Sequence, residues 1–176
     1  MSIFEGRIRE FSNVFVDNFN TSFLVHGRRQ AFFLSHAHSD HMRGLDSTLF
    51  QNRFLSHDKA SFFASAETKE LLSRQSNFRR IAEAITVLPI NEPRELRLDA
   101  ATDTNIIYVS FLPAQHCPGS VSIYFVGNDM WLLISSSVSP TPSSIVYPLH
   151  HRFINSIIVV TTTMLICYFL HKGQSF

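Results

Sequence analysis

Short apolar segments separated by polar turns run through residues 8–133, and this pattern predicts a structure rich in β-strands. Residues 31–34, Ala-Phe-Phe-Leu, form an apolar run that is typical of a buried strand. Residues 121–126 alternate apolar and polar side chains, and Gly-Asn-Asp at 127–129 predicts a hairpin turn into residues 130–133. The other candidate strands are residues 8–11, 14–16, 21–25, 85–88, 95–98 and 106–112.

Two stretches carry helical signals. Ser65 is a candidate N-cap for a helix through residues 66–72, in which Leu71 and Leu72 supply the buried side. Residues 42–45, Met-Arg-Gly-Leu, predict the start of another helix. The chain is therefore expected to combine strands with helices.

Residues 35–41, Ser-His-Ala-His-Ser-Asp-His, directly follow the buried apolar run. They therefore lie at the end of a strand and in the loop beyond it. Alternation along an extended backbone places His36 and His38 on one side, where two imidazoles can meet one metal ion. Asp40 and His41 then turn toward a second ion.

A histidine-rich polar loop without bound metal is the alternative explanation of this segment. Histidine and aspartate at this density are, however, the composition expected of a zinc site or a two-metal site. We therefore interpret the segment as a metal centre.

A second landmark follows the candidate strand that ends at residue 112. Residues 113–120 read Pro-Ala-Gln-His-Cys-Pro-Gly-Ser. Taken alone, His116 would be a loop histidine, but together with His36 and His38 it is a candidate third ligand of the first metal. Cys117 is either a thiolate ligand or a small packed residue, and its position beside His116 favours the packed residue.

Four further side chains are weaker candidates. Asp17 follows a candidate strand, where a carboxylate can orient a metal-bound histidine, although a lone aspartate there is more often a turn former. Arg74, Arg79 and Arg80 lie around Phe78 and form a small basic patch. Guanidinium groups suit phosphate contacts, and a solvated helix end is the alternative.

Composition narrows the class of protein without identifying a partner. The chain has 176 residues, 45% of them hydrophobic, which suits the core of one ordinary domain. With 15 Lys+Arg against 14 Asp+Glu, the net charge of +1 does not indicate a nucleic-acid binder. Two cysteines do not suggest a disulfide framework, and no secretory signal is visible, so an intracellular protein is expected.

The composition changes near residue 130, beyond which only Arg152 and Lys172 are charged. We expect three segments: a domain over residues 1–133, a Ser/Pro-rich linker-like segment over 134–152, and an apolar tail over 153–176. The tail is either a short transmembrane helix or translated non-coding sequence. Its polar residues and the compositional break favour the second reading, so a membrane partner is not expected.

Five blocks of sequence resemble, in order and spacing, the DNA cross-link repair nucleases of the β-CASP group, which have a metallo-β-lactamase fold. The blocks are residues 4–8, 16–17, 33–45, 68–72 and 112–121. The pattern His-x-His-x-Asp-His within them is specific for this fold and for metal binding, but it does not identify the substrate.

The resemblance implies a fold and a set of ligands. The fold would be α/β with α+β layers, the N-terminal half of an αββα sandwich, and therefore incomplete. Three imidazoles would hold the first zinc: His36, His38 and His116. Asp40 and His41 would belong to a second metal position, and Asp17 would orient a metal-bound histidine. Asp17 and Asp40 are thus the candidate catalytic residues.

The resemblance also implies a function, that of a nuclear, zinc-dependent phosphodiesterase acting on DNA ends as a 5′ exonuclease. One branch of the family also opens hairpins and overhangs during non-homologous end joining, together with a DNA-dependent protein kinase. Phe-Glu-Gly-Arg at residues 4–7 and Pro-Ala at 113–114 favour that branch. Arg74, Arg79 and Arg80 would then contact DNA.

The chain departs from the family after residue 133. The family has a Tyr-Thr-Gly-Asp-Phe-Arg segment there, whereas residues 134–140 read Ile-Ser-Ser-Ser-Val-Ser-Pro. Ser137 stands where the bridging aspartate is expected, and no later Asp or Glu occurs. Without that carboxylate and the second half of the fold, we expect impaired or absent activity. A non-catalytic zinc-binding fragment and a hydrolase of the same fold with another substrate are the alternatives.

Overall fold

A computed structural model of the chain describes residues 6–8, 11–98, 106–127, 130–135, 156–160 and 165–170. The strands in these ranges are β1 (Val14–Val16), β2 (Gln30–Phe33), β3 (Ala60–Ala64), β4 (Ile85–Val87), β5 (Arg94–Arg97), β6 (Ile106–Pro113), β7 (Val121–Gly127), β8 (Met130–Ser135), β9 (Ser156–Val160) and β10 (Leu165–Leu170). The helices are α1 (Thr48–Leu55), α2 (Ala66–Ser73) and α3 (Arg79–Glu83).

The first sheet is parallel and has the order β1-β2-β3-β4. Phe15, Phe32 and Phe62 lie in register across three of its strands and pack with side chains of the helices. The neighbouring residues Phe33 and Phe63 point to the opposite face, because side chains alternate along a strand. Burial of both faces explains why β2 reads as a continuous apolar run.

The second sheet is antiparallel and has the order β5-β6-β7-β8-β10-β9. Alternate side chains of its central strands, among them Val109, Ile123 and Leu132, form a core with the inner face of the parallel sheet. The described chain therefore has three layers, which are helices, a parallel sheet and an antiparallel sheet. This arrangement agrees with the predicted α/β class.

Phe33 joins the two sheets. Its ring stacks on Phe63 of the same sheet with ring centroids 5.1 Å apart. It also makes edge contacts with Phe111 and Phe125 of the antiparallel sheet, at centroid distances of 6.3 and 5.2 Å. Because Phe33 is the last residue of β2, this packing fixes the strand end from which the histidine motif begins.

Two local predictions are wrong. The segment predicted as a strand at residues 21–25 begins with a turn of 3-10 helix, because the side chain of Asn20 accepts a hydrogen bond from the N–H of Ser22 at 2.9 Å. The helix predicted to start at residues 42–45 begins only at α1. Gly44 has a φ of +84°, which a right-handed helix does not contain, so the segment forms turns instead.

Helix α2 matches its prediction in position but not in its buried face. The hydroxyl of Ser65 caps the helix by accepting a hydrogen bond from the N–H of Thr68 at 3.2 Å. Leu72 is fully buried, whereas Leu71 is 39% exposed. The inward face therefore consists of Thr68 and Leu72, which are four residues apart.

In the apolar tail, the described residues form β9 and β10, and β10 pairs with β8. A short transmembrane helix is therefore wrong for these residues. Within the described ranges, no helix is long and apolar enough to span a membrane. Residues 136–155, in the linker-like segment and at the start of the tail, lie outside the described residues, as do 128–129 of the predicted hairpin turn. The division into three segments stays a prediction.

Replacing Phe33 with alanine should destabilise the protein by about 3–5 kcal/mol, because loss of the buried ring would leave a cavity between the two sheets. Chemical denaturation followed by circular dichroism measures the change in the free energy of unfolding. Leu49→Ala is the control, since Leu49 is 60% exposed and its truncation should cost less than about 0.5 kcal/mol. Equal effects of the two substitutions would contradict the central position of Phe33.

Candidate metal centre

The histidine motif begins where β2 ends, at the carboxyl edge of the parallel sheet. Ser35 and His36 are buried at this edge, whereas His38 is exposed. The carbonyl of His38 accepts hydrogen bonds from the N–H groups of His41 and Met42, at 3.0 and 3.1 Å. The loop therefore turns back and keeps its histidines together at the edge of the sheet.

His116 reaches the same edge on the loop between β6 and β7. The carbonyl of Gly119 in this loop accepts hydrogen bonds from the hydroxyls of Ser65, at 2.7 Å, and Thr68, at 3.1 Å. The first residue of β7 also donates its N–H to the carbonyl of Ser35 at 2.9 Å. The start of α2 and the histidine motif thus hold the loop from two sides.

Three imidazole nitrogens converge at this edge. Nε2 of His36 lies 3.1 Å from Nδ1 of His38, and Nε2 of His116 lies 3.2 Å from the same Nδ1 atom. A tetrahedral metal held at roughly 2.0–2.1 Å separates its nitrogen ligands by about 3.3 Å. The spacing therefore fits a single metal ion bound by the three histidines.

The environment of His36 leaves its Nε2 atom free to bind a cation. Burial, with smaller contributions from the neighbouring histidines, lowers the pKa of His36 to about 3. The hydroxyl of Ser35 lies 2.6 Å from the Asp17 carboxylate and 2.9 Å from Nδ1 of His36. If the hydroxyl donates to the carboxylate, it accepts from Nδ1–H, so this network assigns the tautomer with an unprotonated Nε2.

Asp17 is the acceptor at the centre of this network. One carboxylate oxygen accepts a hydrogen bond from the N–H of Ser35 at 2.7 Å, and the other lies 2.8 Å from Nδ1 of His41. Its φ of +54° lies in the left-handed region, which aspartate tolerates better than most residues. This conformation ends β1 and aims the carboxylate at the first residues after β2.

His41 and Asp40 form a second position beside the first. Burial alone would lower the pKa of His41, but the hydrogen bond and charge of Asp17, with the charge of Asp40, raise it overall. Nε2 of His41 lies 3.6 Å from a carboxylate oxygen of Asp40. The rings of His36 and His41 have centroids 4.1 Å apart, so the two positions adjoin.

Cys117 lies in the cluster. The ligand atoms of four residues, His36, His38, His116 and Cys117, all lie within 4.8 Å of one another. Burial raises the pKa of the Cys117 thiol above its ordinary value, against a smaller opposite effect of Ser120. The loop brings the sulfur of Cys117 near the three imidazoles, and its interpretation as a small packed residue stays a prediction.

The three arginines of the predicted phosphate-contacting patch lie on the helix layer. Arg74 pairs with Glu70 at 2.9 Å, and Arg80 donates to the side-chain oxygen of Asn52 at 2.6 Å. Arg79 is the first residue of α3. The partners of Arg74 and Arg80 thus belong to the helices rather than to the histidine cluster. A DNA contact of this patch stays a prediction.

Sequence reasoning missed two residues that position the site. Ser35 joins Asp17 to His36, and Thr68 joins α2 to the loop that carries His116. Both lie in blocks that carry the family resemblance, which was the available signal. Their roles require the three-dimensional contacts, because their partners are distant in sequence.

Comparison with known proteins gives two kinds of match. The family model described as "Anti-Pycsar protein Apyc1" matches residues 19–165. "Protein artemis" of Homo sapiens is 37% identical over 131 residues, or 73% of this chain and 18% of that protein. The Gallus gallus protein of the same name gives the same values. "5' exonuclease Apollo" of Rattus norvegicus is 33% identical over 122 residues, or 69% of this chain and 20% of that protein.

The chain thus spans about a fifth of the length of these curated relatives. The similarity confirms the resemblance predicted from the motif blocks, with Artemis ahead of Apollo, as residues 4–7 and 113–114 indicate. It also confirms the fold as a partial metallo-β-lactamase fold.

Asp17→Asn should weaken Zn²⁺ binding by about 10- to 100-fold, because the amide cannot accept all the hydrogen bonds that orient Ser35 and His41. Isothermal titration calorimetry measures the dissociation constant. Asp58→Asn is the control, since the Asp58 side chain is 70% exposed. An Asp17→Asn variant with the affinity of the original chain would show that this network does not orient the ligands.

Gly119→Ala should lower both stability and Zn²⁺ affinity. The new Cβ would lie 2.8 Å from the backbone nitrogen and the hydroxyl of Thr68, at a φ of +79°. Gly27→Ala is a matched control, because Gly27 has a φ of +80° and no atom within 4 Å of the new Cβ. Both variants bear the backbone cost of about 1–2 kcal/mol, but only Gly119→Ala should displace the His116 loop. Equal Zn²⁺ affinities in the two variants would contradict this account.

Proposed function

The chain belongs to the family described as "Anti-Pycsar protein Apyc1", and on this premise we propose that it is a zinc-binding member of the metallo-β-lactamase fold that acts on DNA ends. The single observation that carries the metal assignment is the spacing of the three histidine nitrogens, at 3.1 and 3.2 Å. The similarity to Artemis and Apollo supports the DNA substrate.

The donor set favours zinc among the common metals. Imidazole nitrogen suits zinc, whereas magnesium and calcium take mainly oxygen ligands. His36 and His116 would bind through Nε2 and His38 through Nδ1, the atoms that face one another. The second position offers one imidazole and one carboxylate, from His41 and Asp40, so we propose that it binds metal more weakly.

The proposed reaction is hydrolysis of a phosphodiester bond at a DNA end. Zinc bound at this site would lower the pKa of a water molecule that it binds, and it would stabilise negative charge on the phosphate. The chain's own residues orient the ligands: Asp17 holds His41 directly, and it holds His36 through Ser35. Exposure of His38 and His116 leaves the cluster open to a large substrate.

We further propose a nuclear protein of double-strand break repair by non-homologous end joining, in which a DNA-dependent protein kinase would be the partner. The support is the higher identity to Artemis than to Apollo, at 37% against 33%. The name of the second relative, a 5′ exonuclease, supports the 5′ end of DNA as the site of cleavage. Arg74, Arg79 and Arg80 are the proposed phosphate contacts.

We propose that cleavage by this chain is impaired. Ser137 stands where the resemblance predicts the aspartate that bridges both metals, and a hydroxyl is a poor substitute for a carboxylate in that role. This specific substitution favours a second candidate function, that of a non-catalytic zinc-binding protein. A hydrolase of the same fold with another substrate is the further alternative.

Zinc content and cleavage of 5′-labelled single-stranded DNA test the proposal on the purified full chain. We expect about one zinc per chain and slow cleavage that His38→Ala abolishes. Ser137→Asp should raise the rate at least about tenfold by restoring a metal ligand, whereas Ser136→Asp should not. One zinc with no cleavage by either the original chain or Ser137→Asp would favour the non-catalytic function. Cleavage that survives His38→Ala would contradict the metal mechanism.

A further inference from the structure

We infer that the loop before β2 is a contact surface for the phosphate backbone of nucleic acid, separate from the metal centre. This loop, residues 24–29 with the sequence Leu-Val-His-Gly-Arg-Arg, is called the basic loop below. It lies at the amino end of β2, whereas the histidine motif follows the carboxyl end of the same strand. The six residues from Gln30 to His36, at about 3.3 Å each, place the two sites about 20 Å apart. The inference rests on the proposed DNA substrate and adds a second place where DNA is held.

The first support is that the basic loop is held in one conformation by the segment 53–59. Three carbonyls of the loop accept hydrogen bonds from side chains of this segment. The pairs are Arg53 to Leu24 at 3.1 Å, His57 to Val25 at 3.0 Å, and Lys59 to Gly27 at 3.4 Å. The ring of His26 also stacks on that of His57, with centroids 5.6 Å apart. A partner that binds this loop therefore does not have to order it first, which lowers the entropic cost of binding.

The second support is the charge of these two segments. Residues 24–29 and 53–59 together contain four basic residues and one acidic residue, a net charge of +3, whereas the whole chain carries +1. All four basic side chains are exposed, namely Arg28, Arg29, Arg53 and Lys59. DNA carries one negative charge for about every 1.7 Å of its axis, and binding of clustered cations releases its counterions. The local charge therefore favours nucleic acid as the partner.

The third support is that Arg29 and Lys59 lie side by side. They directly precede β2 and β3, which pair in parallel, and the N–H of Gln30 donates to the carbonyl of Lys59 at 3.1 Å. Both residues line a cavity of about 430 Å³ beside β5. The forked guanidinium group and the ammonium group can therefore contact the same phosphate or two adjacent phosphates.

Two carboxylates also line this cavity. Glu95 pairs with Arg97 at 2.8 Å, so its charge is balanced within β5. Asp58 is the one acidic residue of the two segments, and its side chain is 70% exposed. A phosphate held by Arg29 and Lys59 would be repelled by Asp58. Removal of that charge should therefore strengthen binding, which provides a test of the opposite sign.

Fluorescence anisotropy of a short labelled DNA duplex tests the inference on the full chain, with EDTA present so that no metal contributes. The double variant Arg28→Gln/Arg29→Gln should bind at least about tenfold more weakly at about 0.1 M salt. Its plot of log affinity against log salt concentration should be shallower by about 1.8, or about 0.9 for each lost phosphate contact. Arg94→Gln, at an exposed arginine of β5, is the matched control and should change neither value.

Asp58→Asn should bind the duplex at least about twofold more tightly in the same assay, a gain that loss of folding does not produce. Poly-L-glutamate distinguishes nucleic acid from an acidic protein as the partner. Its charges are about 3.3 Å apart in an extended chain, so it should compete more weakly than unlabelled duplex at equal charge concentration. Equal competition would overturn the assignment to nucleic acid.

An unchanged salt dependence in Arg28→Gln/Arg29→Gln, or weaker binding by Asp58→Asn, would overturn the role of the basic loop. Zinc content should be the same in the double variant and the original chain, because the loop and the histidine motif lie at opposite ends of β2. Failure of both proteins to bind zinc would contradict the proposed metal centre alone, since the duplex assay contains no metal.

Discussion

The candidate site depends on one buried carboxylate. Asp17 ends β1 in a left-handed conformation, and its oxygens take the N–H and hydroxyl of Ser35 and the ring of His41. A buried carboxylate is costly unless its lone pairs are satisfied, and these contacts satisfy it. The same contacts fix the orientation of His36 and His41, so the strand end and the metal ligands are stabilised together.

Packing of the core explains why the Asp17 carboxylate can hydrogen-bond to Ser35, which lies 18 positions later in the chain. The parallel pairing of β1 with β2 places their carboxyl ends side by side, with Val16 opposite Phe33. Phe33 in turn packs against the antiparallel sheet, whose β6–β7 loop carries His116. Packing between the sheets therefore brings the third histidine to the other two, which lie 78 and 80 positions earlier in the chain.

The proximity of the three histidines was predictable from the sequence because they lie in compact motifs, and the buried run before His36 identified the strand. The clustering of His36 and His38 followed from their type and spacing, and His116 was a candidate because it follows a predicted strand end; the family resemblance then agreed with all three. Thr68 and Ser35 were not predictable, because their roles depend on partners far along the chain. The interpretation of Cys117 as a small packed residue stays a prediction. The sequence did not predict β3. The helix predicted to start at residues 42–45 does not start there, because Gly44 has a positive φ.

The most direct test of the shared metal site is long-range ¹H–¹⁵N NMR of the imidazole rings, recorded with and without Zn²⁺. The geometry predicts that zinc binds His36 and His116 through Nε2 and His38 through Nδ1, with one ion affecting all three rings at the same stoichiometry. Binding of all three rings through the same type of nitrogen, or a His116 ring that does not respond to Zn²⁺, would contradict the account.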